Sequence, residues 1–292
     1  MTEAVSKRTW QGSFGLGESW PLVLGFALLA IPTIVNLANQ TWSHEAGAHG
    51  PIILAAGGWL IWRITPELKQ QAKPGAVWIT ALLMVGGLLS YAYGRALDFI
   101  TLEAAGVYAV GLAIANDKLG PRAIINHWFP FFYLAFAIPP PSYIIDRLTS
   151  PLKHFVSFVA TDGLHALGYP IEREGVTLII AQYQLLVEDA CSGMNSLIGL
   201  TAITLMYIYL MHGTSWRYSA LLVAFVIPIA IIANIVRISI LVLITYYFGD
   251  QAGQGFLHMF AGIVLFATAL LLVFGVDKLL SSVRHRLVGA PA

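Results

Sequence analysis

The stretch Pro228–Phe248, PIAIIANIVRISILVLITYYF, carries a single charged residue, Arg237. A transmembrane helix needs about 20 mostly apolar residues, so this stretch predicts a membrane span. An arginine inside a span costs several kcal/mol unless it faces a partner or water, which makes a functional role the first hypothesis. Arg237 lies eleven residues before Phe248, about 16 Å at 1.5 Å per residue. We therefore expect it near the bilayer midplane or somewhat outside it.

The composition of the whole chain agrees with a membrane protein. Of 292 residues, 58% are hydrophobic and 11% are charged, with a net charge of +1. Soluble domains usually carry about 25% charged residues. The balanced charge gives no sign of a nucleic-acid partner. The single cysteine excludes an internal disulfide and any multi-cysteine metal site, and we predict neither a cofactor nor a metal.

Apolar runs predict an all-α polytopic membrane protein with about eight transmembrane helices in one integral membrane domain, residues 1–292. The predicted spans are 21–39, 51–64, 76–94, 97–115, 122–138, 191–211, 218–248 and 256–277. With the N-terminus in the cytoplasm, eleven of the sixteen Lys and Arg residues lie on the inner side and four on the outer side. The remaining one is Arg237. This asymmetry favours eight spans with both termini in the cytoplasm.

One long segment, residues 139–190, is predicted to lie outside the cytoplasm. It opens with PPPS, which cannot continue a helix. Apolar residues then recur with helical spacing and predict a helix at the membrane interface. They are Leu152, Phe155, Val156, Val159 and Leu167. The following GVTLIIAQYQLLVED is rich in β-branched residues and predicts two short strands or an extended ribbon.

The only cysteine, Cys191, opens the sixth predicted span at its outer end. A helix N-terminus favours the thiolate form of a cysteine, whereas the neighbouring acids Glu188 and Asp189 disfavour it. Asp189 or Ser192 could instead cap the helix. The alternative reading of Cys191 is a small buried hydrophobic residue, and position alone does not decide between the two.

Two further polar residues are predicted on the same side of the membrane as this cysteine. Arg237 is either functional or one half of a structural ion pair with Asp98 or Glu103. His258, in GDQAGQGFLHMFAGIVLF, follows a glycine-bearing outer loop and falls in the first turns of the eighth span. It is either a proton carrier or a structural residue.

A cysteine, an arginine and a histidine together can perform acyl transfer. A thiol nucleophile needs a base or a cation to activate it, and the tetrahedral intermediate needs a donor for its oxyanion. Neither an HExxH zinc-protease motif nor a GxSxG elbow is present in the sequence. The sequence therefore favours cysteine chemistry at the outer surface.

Three motifs in this order resemble the exosortase/archaeosortase family of polytopic membrane proteins. They are EDACSGMNSL around Cys191, ANIVRISIL around Arg237 and HMFAGIVLF at His258. The stretch before the cysteine, including GYPIEREGVTLII, is also similar to that family. The resemblance is best over residues 95–275.

The resemblance implies a cysteine peptidase or transpeptidase of the bacterial inner membrane whose active site faces the periplasm. Its partners would be exported proteins held in the membrane by a C-terminal sorting signal: a short motif, a transmembrane helix and a basic cluster. By this resemblance Cys191 forms a thioester, while Arg237 and His258 share the proton-transfer and charge-stabilising roles. Supporting or substrate-binding roles are implied for four neighbours, which are Asp189, Ser192, Asn195 and Asn234.

Two other classes remain open at this point. A transporter would line its path with Arg237, Asp98 and Glu103, although no repeated halves are visible in the sequence. A scaffold subunit of a polysaccharide or protein export system would need none of these side chains for chemistry.

Overall fold

A computed structural model describes residues 16–43, 47, 49–175, 177–186, 195–212 and 216–280. Contacts group the chain into two units. The first unit contains Met1–Gln40 and Ile52–Pro139, and the second contains Thr41–Pro51 and Pro140–Ala292. Each unit is described by itself below.

The first unit is built from helices. They are α1 (Leu16–Leu37), α2 (Gly50–Gln71), α3 (Val77–Ala96), α4 (Ile100–Asn126) and α5 (Trp128–Leu134). A π-helical turn, Ala38–Trp42, follows α1, and a 3₁₀ turn, Ala135–Ala137, follows α5. The sequence predicted a break between spans four and five. The break is a kink at Gly120, whose φ of 79° and ψ of 161° are not helical, followed by Pro121.

Helices α3 and α4 form a tightly packed antiparallel hairpin because glycines lie along their seam. Gly87 and Gly94 of α3 and Gly106 of α4 are buried. Small residues let two helix backbones approach closely, which is how helices associate in a membrane. The hydroxyl of Ser90 crosses the seam and donates to the carbonyl of Leu102 at 2.8 Å.

The seam gives a test of this packing. A Cβ added at Gly106 would lie 2.5 Å from the backbone nitrogen of Tyr91. We expect Gly106→Ala to lower the free energy of unfolding by about 1–3 kcal/mol, measured by thermal melting in detergent. Gly86→Ala in the same hairpin is the control, since nothing lies within 4 Å of its added Cβ. Equal melting temperatures for the two variants would contradict the close packing.

The carboxylate of Glu103 is the main polar contact inside the first unit. It is 2% exposed, accepts hydrogen bonds from Thr33 Oγ1 at 2.8 Å and Asn36 Nδ2 at 3.2 Å, and pairs with Arg95 Nη1 at 3.0 Å. A buried carboxylate needs such partners to offset its lost hydration. The ion pair of Glu103 in the structure is thus with Arg95, whereas the sequence raised a pair with Arg237.

The second unit combines helices with a small sheet. Its elements are α6 (Ser142–Ala166), β1 (Ile171–Glu174), β2 (Thr177–Ile180), β3 (Tyr183–Leu186), α7 (Asn195–His212), α8 (Trp216–Phe248), α9 (Asp250–Met259) and α10 (Ala261–Leu279). The strands pair in the order β1-β2-β3, all antiparallel. The two strands predicted within residues 175–189 are β2 and β3, and the structure adds β1, which lies before that stretch. Ala181, at a φ of 51°, makes the second turn.

Helix α6 and the sheet pack against the second half of α8. One buried cluster joins Val156 and Ala160 of α6, Leu178 of β2, and Ile238 and Val242 of α8. A helix is therefore present where one was predicted, as α6. Leu152 and Val156 of the predicted apolar face pack in this cluster, whereas Phe155 and Leu167 are exposed. The sheet and α6 together form an apolar cap on α8.

A helix is present at each predicted span. Whether each of these helices crosses the membrane is a separate question, which depends on its length and apolar character. Four helical segments among the described residues are long and apolar enough to cross a membrane: Trp20–Trp42, Val77–Ala96, Arg217–Phe248 and Gly262–Leu279. Trp128–Ala137 and Ile198–Met211 are shorter apolar helices. The prediction of eight spans stays a prediction.

Candidate active site

Arg237 lies on α8 and is 1% exposed, so its guanidinium group is held inside the second unit. Asn234, 2% exposed, lies three residues earlier on the same helix and therefore on the same face. Of the two acids considered as ion-pair partners for Arg237, Asp98 accepts a hydrogen bond from Gln40 Nε2 at 3.2 Å. A buried arginine with an adjacent buried amide is the polar centre expected of a site within a span.

The contacts that α9 and α10 make with α8 show how far His258 lies from Arg237 along the axis of α8. Depth here means position along that axis. Both helices run antiparallel to α8. Near the end of α8, a Cβ at Gly253 would meet the hydroxyl of Thr245, and Phe256 packs with Leu241. Further along α10, Leu265 shares a buried cluster with Ala233.

Ala233 and Leu241 flank Arg237 at four residues on either side, and are about 12 Å apart along the helix. His258 lies between Phe256 and Leu265 in sequence, so its backbone is within about one turn of the depth of Arg237. The chain also breaks at this depth, because α9 ends at Met259 and α10 begins at Ala261. The side chain of His258 lies outside the described part of the structure.

Where the sequence predicted a glycine-bearing outer loop before His258, the structure has α9 instead. Only Gly249, with a φ of 87°, separates α8 from α9. Gly253 was interpreted as a loop residue. Its role is close packing, since a side chain there would collide with Thr245. The correction places His258 near the end of a short helix rather than in the first turns of a span.

Helix α7 brings the segment after the cysteine to the same region. Leu200 of α7 belongs to the buried cluster that contains Ala230 and Ala233 of α8. Asn195, the first residue of α7, lies five residues before Leu200, or about 7 Å along the helix. Since α7 and α8 are antiparallel, Asn195 begins its helix near the depth of Arg237.

Three of the predicted site residues, Cys191, Asp189 and Ser192, lie outside the described residues. The side chain of Asn195 lies outside them as well. Of the predicted site, the structure thus describes the side chains of Arg237 and Asn234. For Asn195 and His258 it describes the backbone. Within the part of the chain that the structure describes, no three His, Cys, Asp or Glu side chains are grouped as metal ligands would be.

The structure adds one residue to the second unit, His49, which lies between the first and second predicted spans. Segment Thr41–Pro51 belongs to the second unit. A Cβ added at Gly199 of α7 would lie 2.7 Å from the Cβ of His49 and 3.1 Å from its Nδ1. Burial lowers the pKa of His49 below its usual range, so the imidazole is neutral at neutral pH. No local motif signals a contact that spans 150 residues of sequence.

A family model described as transmembrane exosortase (Exosortase_EpsH) matches residues 41–275. The match covers well over half of the chain. The chain belongs to the transmembrane exosortase family. This confirms the resemblance seen in the motifs around Cys191, Arg237 and His258, and it makes the protein a membrane protein.

The matched range of this exosortase includes all of the predicted site residues and also His49. It begins at residue 41, the first residue of the short segment that joins the second unit. No curated protein and no solved structure is significantly similar to the chain.

Proposed function

We propose that this exosortase is a membrane-embedded cysteine endopeptidase or transpeptidase that cleaves the C-terminal sorting signal of exported proteins. The observation that carries the proposal is the common depth of Arg237, His258 and Asn195. The backbones of these residues belong to three different helices, and Arg237 is buried. Cys191 precedes Asn195 by four residues.

The proposed chemistry uses each residue in a separate role. The thiol of Cys191 loses its proton to a histidine, and the thiolate attacks the scissile carbonyl. The tetrahedral intermediate collapses to a thioester while the leaving amine takes up the proton. An acceptor, either water or another nucleophile, then releases the product. Arg237 holds the developing negative charge, which is worth more in a site that excludes water.

The proposed substrates are membrane-anchored proteins with a short motif, a transmembrane helix and a basic cluster. A substrate held by its own helix is presented at a fixed depth, and such positioning contributes to rate. Asp189, Ser192, Asn195 and Asn234 are proposed to support the nucleophile or to bind the motif. We place the enzyme in the bacterial inner membrane, with both termini in the cytoplasm and the site facing the periplasm.

The transporter alternative receives less support from the structure. A transporter would use Glu103 to line the substrate path. That carboxylate instead accepts hydrogen bonds from Thr33 and Asn36 and forms an ion pair with Arg95 within the first unit. A fully bonded carboxylate has the surroundings of a structural residue. The scaffold alternative gives no reason for an arginine that is 1% exposed inside a span.

Co-expression with a reporter tests the proposed function. The reporter ends in a Pro-Glu-Pro motif, a transmembrane helix, a basic cluster and an epitope tag. We expect loss of the tag and a product whose mass fits cleavage near the motif. A reporter without the motif is the control and should keep its tag. The proposal would be contradicted if the reporters stay intact, or if they are cut equally with and without the motif.

The side on which Cys191 lies can be measured with a membrane-impermeant maleimide. Cys191 is the only thiol, so every signal belongs to it, and Cys191→Ala is the blank. We expect labelling from the periplasmic side of spheroplasts. Ser150→Cys in the Cys191→Ala background reports the exposed side of α6 and should label from the same side. Labelling of Cys191 from the cytoplasmic side alone would overturn the proposed topology.

A further inference from the structure

The first unit contains a long cavity between α1, α2, α4 and α5, and none of its lining residues is among the predicted site residues. Its volume is about 570 Å³. It extends along α2 from Leu54 to Lys69 and along α4 from Ala104 to Lys118. Fifteen residues of helix measure about 22 Å, which exceeds the roughly 15 Å half-thickness of a bilayer's hydrocarbon core.

The wall of this cavity is almost entirely hydrocarbon. Three hydroxyls line it, and each is already used by the protein: Thr33 Oγ1 donates to Glu103 at 2.8 Å, Thr65 Oγ1 to the carbonyl of Ile61 at 2.8 Å, and Tyr108 Oη to the carbonyl of Phe131 at 2.7 Å. None of these three hydroxyls therefore has its proton available for a polar ligand. An acyl chain would find only apolar contacts.

One end of the cavity is basic, because two of its lining residues, Lys69 and Lys118, lie at the same end. The backbone nitrogen of Lys73 donates to the carbonyl of Leu119 at 3.1 Å, which brings a third lysine to that end. Arg122 follows on α4. Two acids also lie there: Glu67, and Asp117, whose Oδ2 is 3.6 Å from Nζ of Lys118. The four cations outnumber these two carboxylates. The sequence predicts this end at the cytoplasmic surface.

We propose that the cavity binds a phospholipid with an anionic headgroup. One acyl chain lies along the apolar wall, and the phosphate meets Lys69 and Lys118. Basic pockets between transmembrane helices bind such headgroups. Because the headgroup lies at the end predicted to be cytoplasmic, this lipid is a resident ligand of the first unit rather than the acceptor of the proposed reaction.

Photo-crosslinking tests this site in the full-length protein in nanodiscs. The probe is phosphatidylglycerol with a diazirine in its acyl chain, and phosphatidylcholine with the same chain is the comparison. We expect at least about fivefold more crosslinking of phosphatidylglycerol to α1, α2 and α4. Ala115→Phe should fill the cavity and reduce crosslinking at least about fivefold, whereas Ala92→Phe on the exposed face of α3 should not.

A second pair of substitutions tests the headgroup contact without changing the cavity. Lys69→Gln with Lys118→Gln should bring the two lipids to equal crosslinking while the protein melts as before. Equal crosslinking in the unaltered protein, or a preference that survives the double substitution, would overturn the proposal. Crosslinks that Ala115→Phe leaves unchanged would also overturn it, since they would come from bulk lipid.

Discussion

Replacing Cys191 by alanine is expected to reduce processing of the reporter by at least about 10⁴-fold, while the protein still inserts and accumulates. Removing a covalent nucleophile leaves only the catalysis that comes from binding and charge stabilisation. The change is small in volume, and Cys191 is the only thiol in the chain. The measurement is the rate of appearance of cleaved product, normalised to the amount of folded exosortase.

The control for this prediction restores a thiol at another position. Ser150 is exposed on α6 in the second unit, so Ser150→Cys can be introduced into the Cys191→Ala protein. It should recover no activity, because a thiol must lie beside its base and the scissile carbonyl to react. Recovery by this variant, or processing by Cys191→Ala alone at a tenth of the original rate or more, would contradict a nucleophilic role.

Replacing Arg237 is expected to have the second largest effect. Both Arg237→Lys and Arg237→Met should lower the processing rate by about 10²–10³-fold, the usual loss when one charge-stabilising donor is removed. Lysine is included because it keeps the charge but loses the planar fork of donors. The side chain is 1% exposed, so neither variant can recover the contact from the surface.

The matched control lies on the same helix, two residues away. The hydroxyl of Ser239 donates to the carbonyl of Ile235 in its own helix at 2.8 Å, so Ser239→Ala should leave processing within about a factor of three. Thermal melting in detergent shows whether the Arg237 variants remain folded. An Arg237→Lys protein that melts normally and processes at more than half the original rate would show that the guanidinium group is not needed.

Local patterns in the sequence were enough to predict the helices and one feature of the site. Apolar runs predicted a helix at each span, and the apolar surroundings of Arg237 predicted that its charge would be buried, as it is. Helical spacing of Val156 with its apolar neighbours predicted α6, whose inner face joins the buried cluster of the cap. These predictions succeed because each depends on residues within a few turns of one another.

Features that depend on long-range contacts could not be predicted in this way. Gly253 was interpreted as part of a loop because glycine is common in turns, yet its role is close packing against Thr245. His49 and Gly199 meet across 150 residues of sequence. Strand β1 was missed because three of its four residues are charged and exposed, a composition that is rare in strands, and it forms by pairing with β2.

The central claim is that Cys191 forms a covalent bond with the substrate, and an acid-quenched reaction tests it most directly. Purified exosortase is mixed with a membrane-anchored substrate, quenched during turnover and digested for mass spectrometry. The account predicts a substrate fragment on the peptide that contains Cys191, released by hydroxylamine as a thioester would be and absent after Cys191→Ala. Cleaved product that accumulates at the full rate while Cys191 has been alkylated beforehand would contradict it.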